Sequence, residues 1–209
     1  MSLTISVVIP AYNAAAFVAD AIGSARAQLS DRDEIIVVDD GSTDGTSDTV
    51  AALGPGVVCA RQANAGVSAA RNLGIALSSG DIVAFLDADD RWLPGKVRTQ
   101  LEVFARDPSV GLVATDRCDV DGEGRELHGS LFRRQGLYDE LAQLNGQPVK
   151  NALARLVQIN FLPTSSVMVS RRALDAVGLF DTSIRYGEDL DLWARVASQF
   201  GVVCLPQVL

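Results

Sequence analysis

Apolar residues fall along this chain in short runs separated by amphipathic stretches. Thr4 to Pro10 (TISVVIP), Glu34 to Asp39 (EIIVVD), Val57 to Arg61 and Ile82 to Leu86 (IVAFL) are rich in β-branched and aromatic residues and end at proline, aspartate or polar turn residues. Near-continuous apolar runs of this length fit strands covered on both faces. The stretches between them repeat with helical period. Phe17, Ala21, Ile22 and Ala25 place a helix within Ala14 to Gln28, another follows the turn at Asp40 to Thr46 and runs to about Leu53, and a third spans Val67 to Leu77. After Asp90, Pro94 opens a helix through Phe104 with Val97, Leu101 and Phe104 as its apolar stripe, and Val110 to Ala114 is the next strand.

The second half is less regular. Asp116 to Glu126 (DRCDVDGEGRE) reads as an acidic hairpin or loop, and Leu131 to Gln147 has weak periodicity that fits a flexible loop over a site or a linker. Beyond it come a helix at Val149 to Val157, a strand at Ser165 to Ser170 and a short helix at Arg172 to Val177. A loop at Phe180 to Glu188, a helix at Asp189 to Phe200 and a strand at Val202 to Leu205 that closes the sheet complete the order. Strands alternating with helices predict an α/β fold with a mostly parallel, Rossmann-like sheet flanked by helices. We expect a single domain with two halves, 1–115 and 116–209. Ligands of such sheets sit at the C-terminal strand ends, and polar clusters fall there at Ala11 to Asn13, Asp39 to Asp44 and Asp87 to Asp90.

Composition narrows the function. A formal charge of −8 with no Lys/Arg block disfavours nucleic acid or an anionic membrane as the main partner. Cys59, Cys118 and Cys204 are widely spaced, lack a CxxC pair, and fit reduced core cysteines of a cytosolic protein. No run reaches membrane-spanning length, and Leu209 follows directly on an apolar segment, so the chain is expected to continue.

Asp87, Asp89 and Asp90 crowd the end of one strand. Such carboxylates repel unless they stay solvated or a divalent cation neutralises them, so the stretch is either a metal and phosphate site or an acidic cap for the helix at Pro94. Asp39 and Asp40 offer carboxylate acceptors at a strand end or, equally, caps for the following helix. Arg71 fits a phosphate or base contact, or a salt bridge to a strand-end aspartate. Trp92 can stack on a ligand ring or serve as a core residue at a helix entry. Glu188 and Asp189 stand where a helix begins, as general base candidates or as acids favoured by the helix dipole. His128 is the sole histidine and supports no catalytic triad.

Pro-Ala-Tyr-Asn at Pro10 to Asn13, VDDGSTDGT at Val38 to Thr46, N-x-G-x-S-x-A-R-N-x-G from Asn64 to Gly74, LDADD at Leu86 to Asp90 and GEDLDLWAR at Gly187 to Arg195 occur in that order. Together they resemble family 2 glycosyltransferases of the GT-A fold, across nearly the whole chain. The resemblance implies an inverting transfer of a sugar from a nucleotide-sugar, UDP-linked by the acid at Asp40, to a saccharide or lipid-linked saccharide acceptor. It implies Mn²⁺ or Mg²⁺ on Asp89, with Asp87 as a second ligand or a ribose and sugar contact beside Ala88. Asp39, Asp40 and Arg71 then line the nucleotide together with Pro10, Ala11, Tyr12 and Asn13. Asp189 becomes the base, with Glu188 beside it, and 116–163 selects the acceptor. A cytoplasmic setting, peripheral to the inner membrane face, and cell-surface polysaccharide synthesis are further implications. A nucleotidyltransferase would place a Gly-rich basic loop after the first strand, where this chain has PAYNAAAF. A receiver-like signalling domain would place its acid pair after the first strand rather than the second. A sugar-nucleotide-binding module without catalysis would leave the base position empty.

Overall fold

The computed structural model describes residues 3–209. The apolar runs become β1 (Ile5–Ala11), β2 (Glu34–Asp39), β3 (Val57–Arg61), β4 (Ile82–Phe85) and β5 (Val110–Asp116), and the periodic stretches become α1 (Val18–Arg26), α2 (Thr46–Ala52), α3 (Val67–Leu77) and α4 (Lys96–Arg106). The acidic segment forms a small hairpin, β6 (Asp119–Val120) with β7 (Glu126–His128). Where a loop or linker was expected, two short helices stand instead, α5 (Leu131–Arg134) and α6 (Tyr138–Leu144). Each buries one large apolar side chain, Phe132 and Leu141, and α6 adds the partly buried Tyr138 and Leu144, but four and seven residues are too few to display a clear period. Helix α7 (Ala152–Gln158), a 3-10 turn at Thr164–Ser166, β8 (Val167–Ser170), α8 (Arg171–Val177), α9 (Glu188–Ala197) and β9 (Gly201–Val208) follow.

The seven-stranded sheet runs β3-β2-β1-β4-β8-β5-β9. The chain builds outward from β1 through β2 to β3, then returns to the other side of β1 with β4, which puts the switch of direction between β1 and β4. A crevice opens at the C-terminal ends of strands at such a point. Every pairing is parallel except those of β8, which runs antiparallel to both β4 and β5. Its N-terminal corner therefore meets the same edge as the C-terminal ends of the others.

Helices α1, α2 and α4 cover one face through Val18, Ile22, Val50, Val97 and Phe104. The other face carries α3 and α7 to α9, where Phe85, Phe180 and Trp193 pack with ring centroids 5.3 to 6.0 Å apart. On α4 the buried set is Lys96, Val97, Gln100, Val103 and Phe104, so two polar residues occupy positions the apolar stripe did not reveal. Of the cysteines only Cys204 lies in the core; Cys118 is half-buried and Cys59 is exposed on β3, which is an edge strand and lacks a covering neighbour on one side.

Two helical glycines separate packing from propensity. A Cβ at Gly74 of α3 would sit 2.4 Å from Val8 Cγ1, whereas one at Gly23 of α1 would meet nothing within 4 Å. Gly74→Ala is expected to lower stability by about 1–3 kcal/mol through overpacking, and Gly23→Ala to raise it by roughly 0.5–1 kcal/mol through helix propensity. Urea denaturation of both variants checks this; equal shifts would mean that α3 does not press on β1.

Candidate active site

The loops after β1 and β2 are laced together by hydrogen bonds. Asp40 N–H donates to the Ala11 carbonyl at 2.8 Å, Asn13 N–H to Ser42 Oγ at 2.9 Å, and Thr43 N–H to Asn13 Oδ1 at 2.9 Å. Asn13 adopts φ +50°, a conformation asparagine tolerates. Pro10 and Ala11 are buried at the end of β1, while Tyr12 is exposed beside them.

Asp39 is fully buried and accepts from Ser42 N–H at 2.8 Å and from the Ser47 hydroxyl, with Arg61 Nε 3.6 Å away. Burial pushes its carboxyl up, but the bonds from Ser42 and Ser47 and the Arg61 charge together hold it below the usual range. It organises the loop. Asp40, also buried, accepts from Gln62 Nε2 at 2.7 Å, Ala65 N–H at 2.8 Å and Gly66 N–H at 2.9 Å, which fixes the approach to α3. A carboxylate offers about four lone-pair sites, so Asp40 keeps one.

Asp87 is half-buried past the end of β4, Ala88 is buried, and Asp89 and Asp90 are exposed. Asp87 N–H donates to Ser165 Oγ at 3.0 Å, and Ser165 donates in turn to Asp90 Oδ2 at 2.5 Å. Loss of solvent around its carboxyl pushes Asp90 above its ordinary value, opposed by the Ser165 hydroxyl and reinforced by the charges of Asp87 and Asp89.

Arg71, on the first turns of α3, lies buried between two acids. Its Nη2 donates to Asp87 Oδ1 and its Nη1 to Glu188 Oε1, both at 2.9 Å, and its guanidinium stands 5.3 Å from the centre of the Phe180 ring. Burial opposes the charge, but Asp87 and Glu188 raise the guanidinium above its ordinary value. Arg71 thus makes the salt bridge that was one of its two sequence readings, and Glu188 is bound to it. Asp189, the next residue of α9, is half-buried and differently held. Asn160 Nδ2 lies 3.3 Å from both of its oxygens and Thr164 Oγ1 3.4 Å from Oδ2, while Leu190 N–H donates to Oδ1 at 2.7 Å. Asp191 pairs with Arg195 at 2.7 Å instead.

Trp92 is buried, its Nε1 donating to the Ser165 carbonyl at 2.9 Å, so it serves the core at a helix entry. His128 is exposed, 3.7 Å from Asp119. Sequence reasoning missed Asn160, Thr164, Ser165, Lys96 and Gln100. The hydroxyl run Thr164-Ser165-Ser166 before a strand was the available signal, but nothing local says that this strand runs backwards.

Among the described residues no group of three or more His, Cys, Asp or Glu forms a cage for a metal. The oxygen donors Asp87 and Asp89 suit a hard cation that keeps waters and takes its remaining ligands from substrate phosphates. The residues therefore fit Mn²⁺ or Mg²⁺ bound together with a diphosphate, not alone.

The glycosyl transferase family 2 model matches residues 6–178. The succinoglycan biosynthesis protein ExoU of Rhizobium meliloti is 32% identical over 200 residues, covering 91% of this chain and 56% of that protein. The chain spans about half the length of that relative and of others it matches. Among solved structures, residues 1–349 of S. aureus TarS in complex with UDP match with a TM-score of 0.73 and 19% identity, over 96% of this chain and 58% of that one. The mannosyltransferase PcManGT of Pyrobaculum calidifontis, in complex with GDP-Man and Mn²⁺, matches with a TM-score of 0.72 and 22% identity, over 100% and 56%. The fold shared with them is the GT-A type expected from the motifs.

Two expectations follow from the charges. Arg71→Met leaves Asp87 and Glu188 without their shared cation and should lower stability by about 3 kcal/mol; combining it with Glu188→Gln should cost less than the sum, and additive losses in urea unfolding would disprove the coupling. Lys96 is fully buried, and burial holds its ammonium well below the usual 10.5, with Gln100, Thr115 and Ser166 as neutral partners. The unfolded chain then binds the proton more tightly, so stability falls as pH drops below 10.5 toward the lowered native value and recovers as pH rises. Relative to Lys96→Met, the wild type should gain stability, by at most about 1.4 kcal/mol per pH unit, as pH rises toward 10.5. Parallel stability curves for the two proteins would show that Lys96 is charged in the native state.

Proposed function

Because this chain belongs to glycosyltransferase family 2, we propose that it carries the donor and catalytic portion of an inverting glycosyltransferase that moves a sugar from a nucleoside-diphosphate sugar to a hydroxyl acceptor. What carries the reading is the convergence on one sheet edge of the Asp87 to Asp90 acids and Asp189, joined through Arg71 and the segment before β8. The bound nucleotides of TarS and PcManGT support the donor class, and the Mn²⁺ of PcManGT supports the cation.

In this reading the base lies against Tyr12 and the wall fixed by Asp40, whose remaining lone pair accepts an imide N–H. That acceptor suits a uracil base and hence a UDP-sugar, with dTDP- and GDP-sugars as the alternative donors. Asp89, with the Asp87 oxygen that Arg71 leaves open, would hold Mn²⁺ or Mg²⁺, which would supply Lewis-acid neutralisation of the diphosphate leaving group. Asp189 takes the proton of the acceptor hydroxyl as that oxygen bonds to the anomeric carbon and the bond to the diphosphate breaks, which inverts the centre. Glu188 is engaged by Arg71 at 2.9 Å, and its part is to seat that guanidinium. Asn160 and Thr164 turn the Asp189 carboxylate toward the cleft.

The acceptor is a saccharide or lipid-linked saccharide, and cell-surface polysaccharide synthesis is supported by the name of the ExoU relative. Among the described residues no helix is long and apolar enough to cross a membrane. We place the reaction in the cytoplasm, where an acceptor on lipid would bring the protein to the inner face of the membrane.

Calorimetric titration with UDP, with and without Mn²⁺, tests the donor site. Wild type should bind in a Mn²⁺-dependent way and Asp89→Ala should lose that dependence. Asp189→Asn should keep donor binding while losing transfer by roughly 10²–10⁴-fold. Failure of UDP, dTDP and GDP alike to bind the wild type would end the glycosyltransferase reading.

A further inference from the structure

The strand that runs against the rest of the sheet enters it through Thr164–Ser166. That corner is fixed from beneath by groups outside the cleft. Trp92 Nε1 donates to the Ser165 carbonyl at 2.9 Å, Lys96 Nζ and Gln100 Nε2 donate to the Ser166 carbonyl at 2.8 and 3.0 Å, and the Ser166 hydroxyl donates to the Pro163 carbonyl at 2.7 Å. With its backbone held in this way, the corner directs adjacent hydroxyls to different acids. Ser165 Oγ accepts from Asp87 N–H and donates to Asp90. Thr164 Oγ1 reaches Asp189, which Asn160 also approaches.

We propose that Ser165 is a positioning residue for the cation and diphosphate subsite, and Thr164 a positioning residue for the base, so that one rigid corner sets the spacing between the two. The inference rests on the donor-site reading above. Ser165 grips the Asp87 to Asp90 turn at both ends, at the Asp87 N–H and the Asp90 carboxylate, and the exposed Asp89 lies between them in the chain. By occupying an oxygen of Asp90 it also lowers the repulsion among the three acids. Hydrogen bonds behind a metal ligand fix its orientation, and losing them typically weakens metal affinity 10- to 100-fold.

The test is calorimetry with UDP, or GDP where UDP does not bind, in Mn²⁺ and in EDTA. Ser165→Ala should weaken nucleotide binding about 10-fold or more in Mn²⁺ and leave binding in EDTA unchanged. Ser165→Thr, which keeps the hydroxyl, should restore affinity. Thr164→Val should bind nucleotide in Mn²⁺ like the wild type yet lower kcat. Thermal melts confirm folding, and Ser165→Cys, close in volume but a poor hydrogen-bonding group, gives the same reading where Ser165→Ala does not fold. Wild-type affinity in Ser165→Ala, or equal weakening with and without Mn²⁺, overturns the inference. Absence of Mn²⁺-dependent binding in the wild type overturns the donor-site reading, and the inference falls with it.

Discussion

A buried guanidinium makes the acidic edge of this sheet tolerable. Asp87 and Glu188 come from parts of the chain far apart in sequence, the turn after β4 and the start of α9, and would repel one another at the cleft; Arg71 lies between them with 3% of its surface exposed. Arginine suits this position because its planar fork donates to two carboxylates at once, where a lysine ammonium would have to choose its geometry. The bridge depends in turn on close packing. Helix α3 can bring Arg71 under the edge because Gly74 lets it lie against Val8, and the neighbouring Asn72 grips the backbone of Phe180, its Nδ2 donating to the carbonyl at 2.8 Å and its Oδ1 accepting from the N–H at 3.0 Å. The ring of Phe180 then closes the other side of the guanidinium.

The antiparallel strand β8 supplies a second constraint. A parallel strand in its place would bring its C-terminal end to the cleft, followed by the start of a crossover. Reversal brings instead an N-terminal corner whose hydroxyls point to the acids on either side. The cost lies beneath it, where Lys96 is buried without a carboxylate partner and Gln100 fills both its donor roles with the Val113 and Ser166 carbonyls. Polar groups in a core are retained when each is satisfied, and here the satisfied network braces one short segment of backbone.

Much of this was legible along the chain. The strands β2 and β3 and the helix α3 lie where the apolar runs and the helical period place them, because each must bury a face of fixed periodicity. The acid clusters were legible for the same reason: a strand that ends carries its next residues to the sheet edge. Alternation of strands and helices gave the α/β class and predicted which edge would collect the polar groups. The five ordered motifs gave the family.

Tertiary structure alone decided the rest. Strand direction leaves no mark in periodicity, since an apolar run looks the same read toward either end, so the reversal of β8 and the roles of Thr164 and Ser165 were invisible. Lys96 and Gln100 read as surface positions of an amphipathic helix, because burial of a polar side chain depends on partners that only the assembled sheet provides. By position alone Glu188 and Asp189 were equivalent at a helix start, and only the resemblance to the family favoured Asp189. What the fold adds is a physical difference between them: Arg71, 117 residues before Glu188, claims Glu188, and a pairing over that distance exists only after the chain has folded.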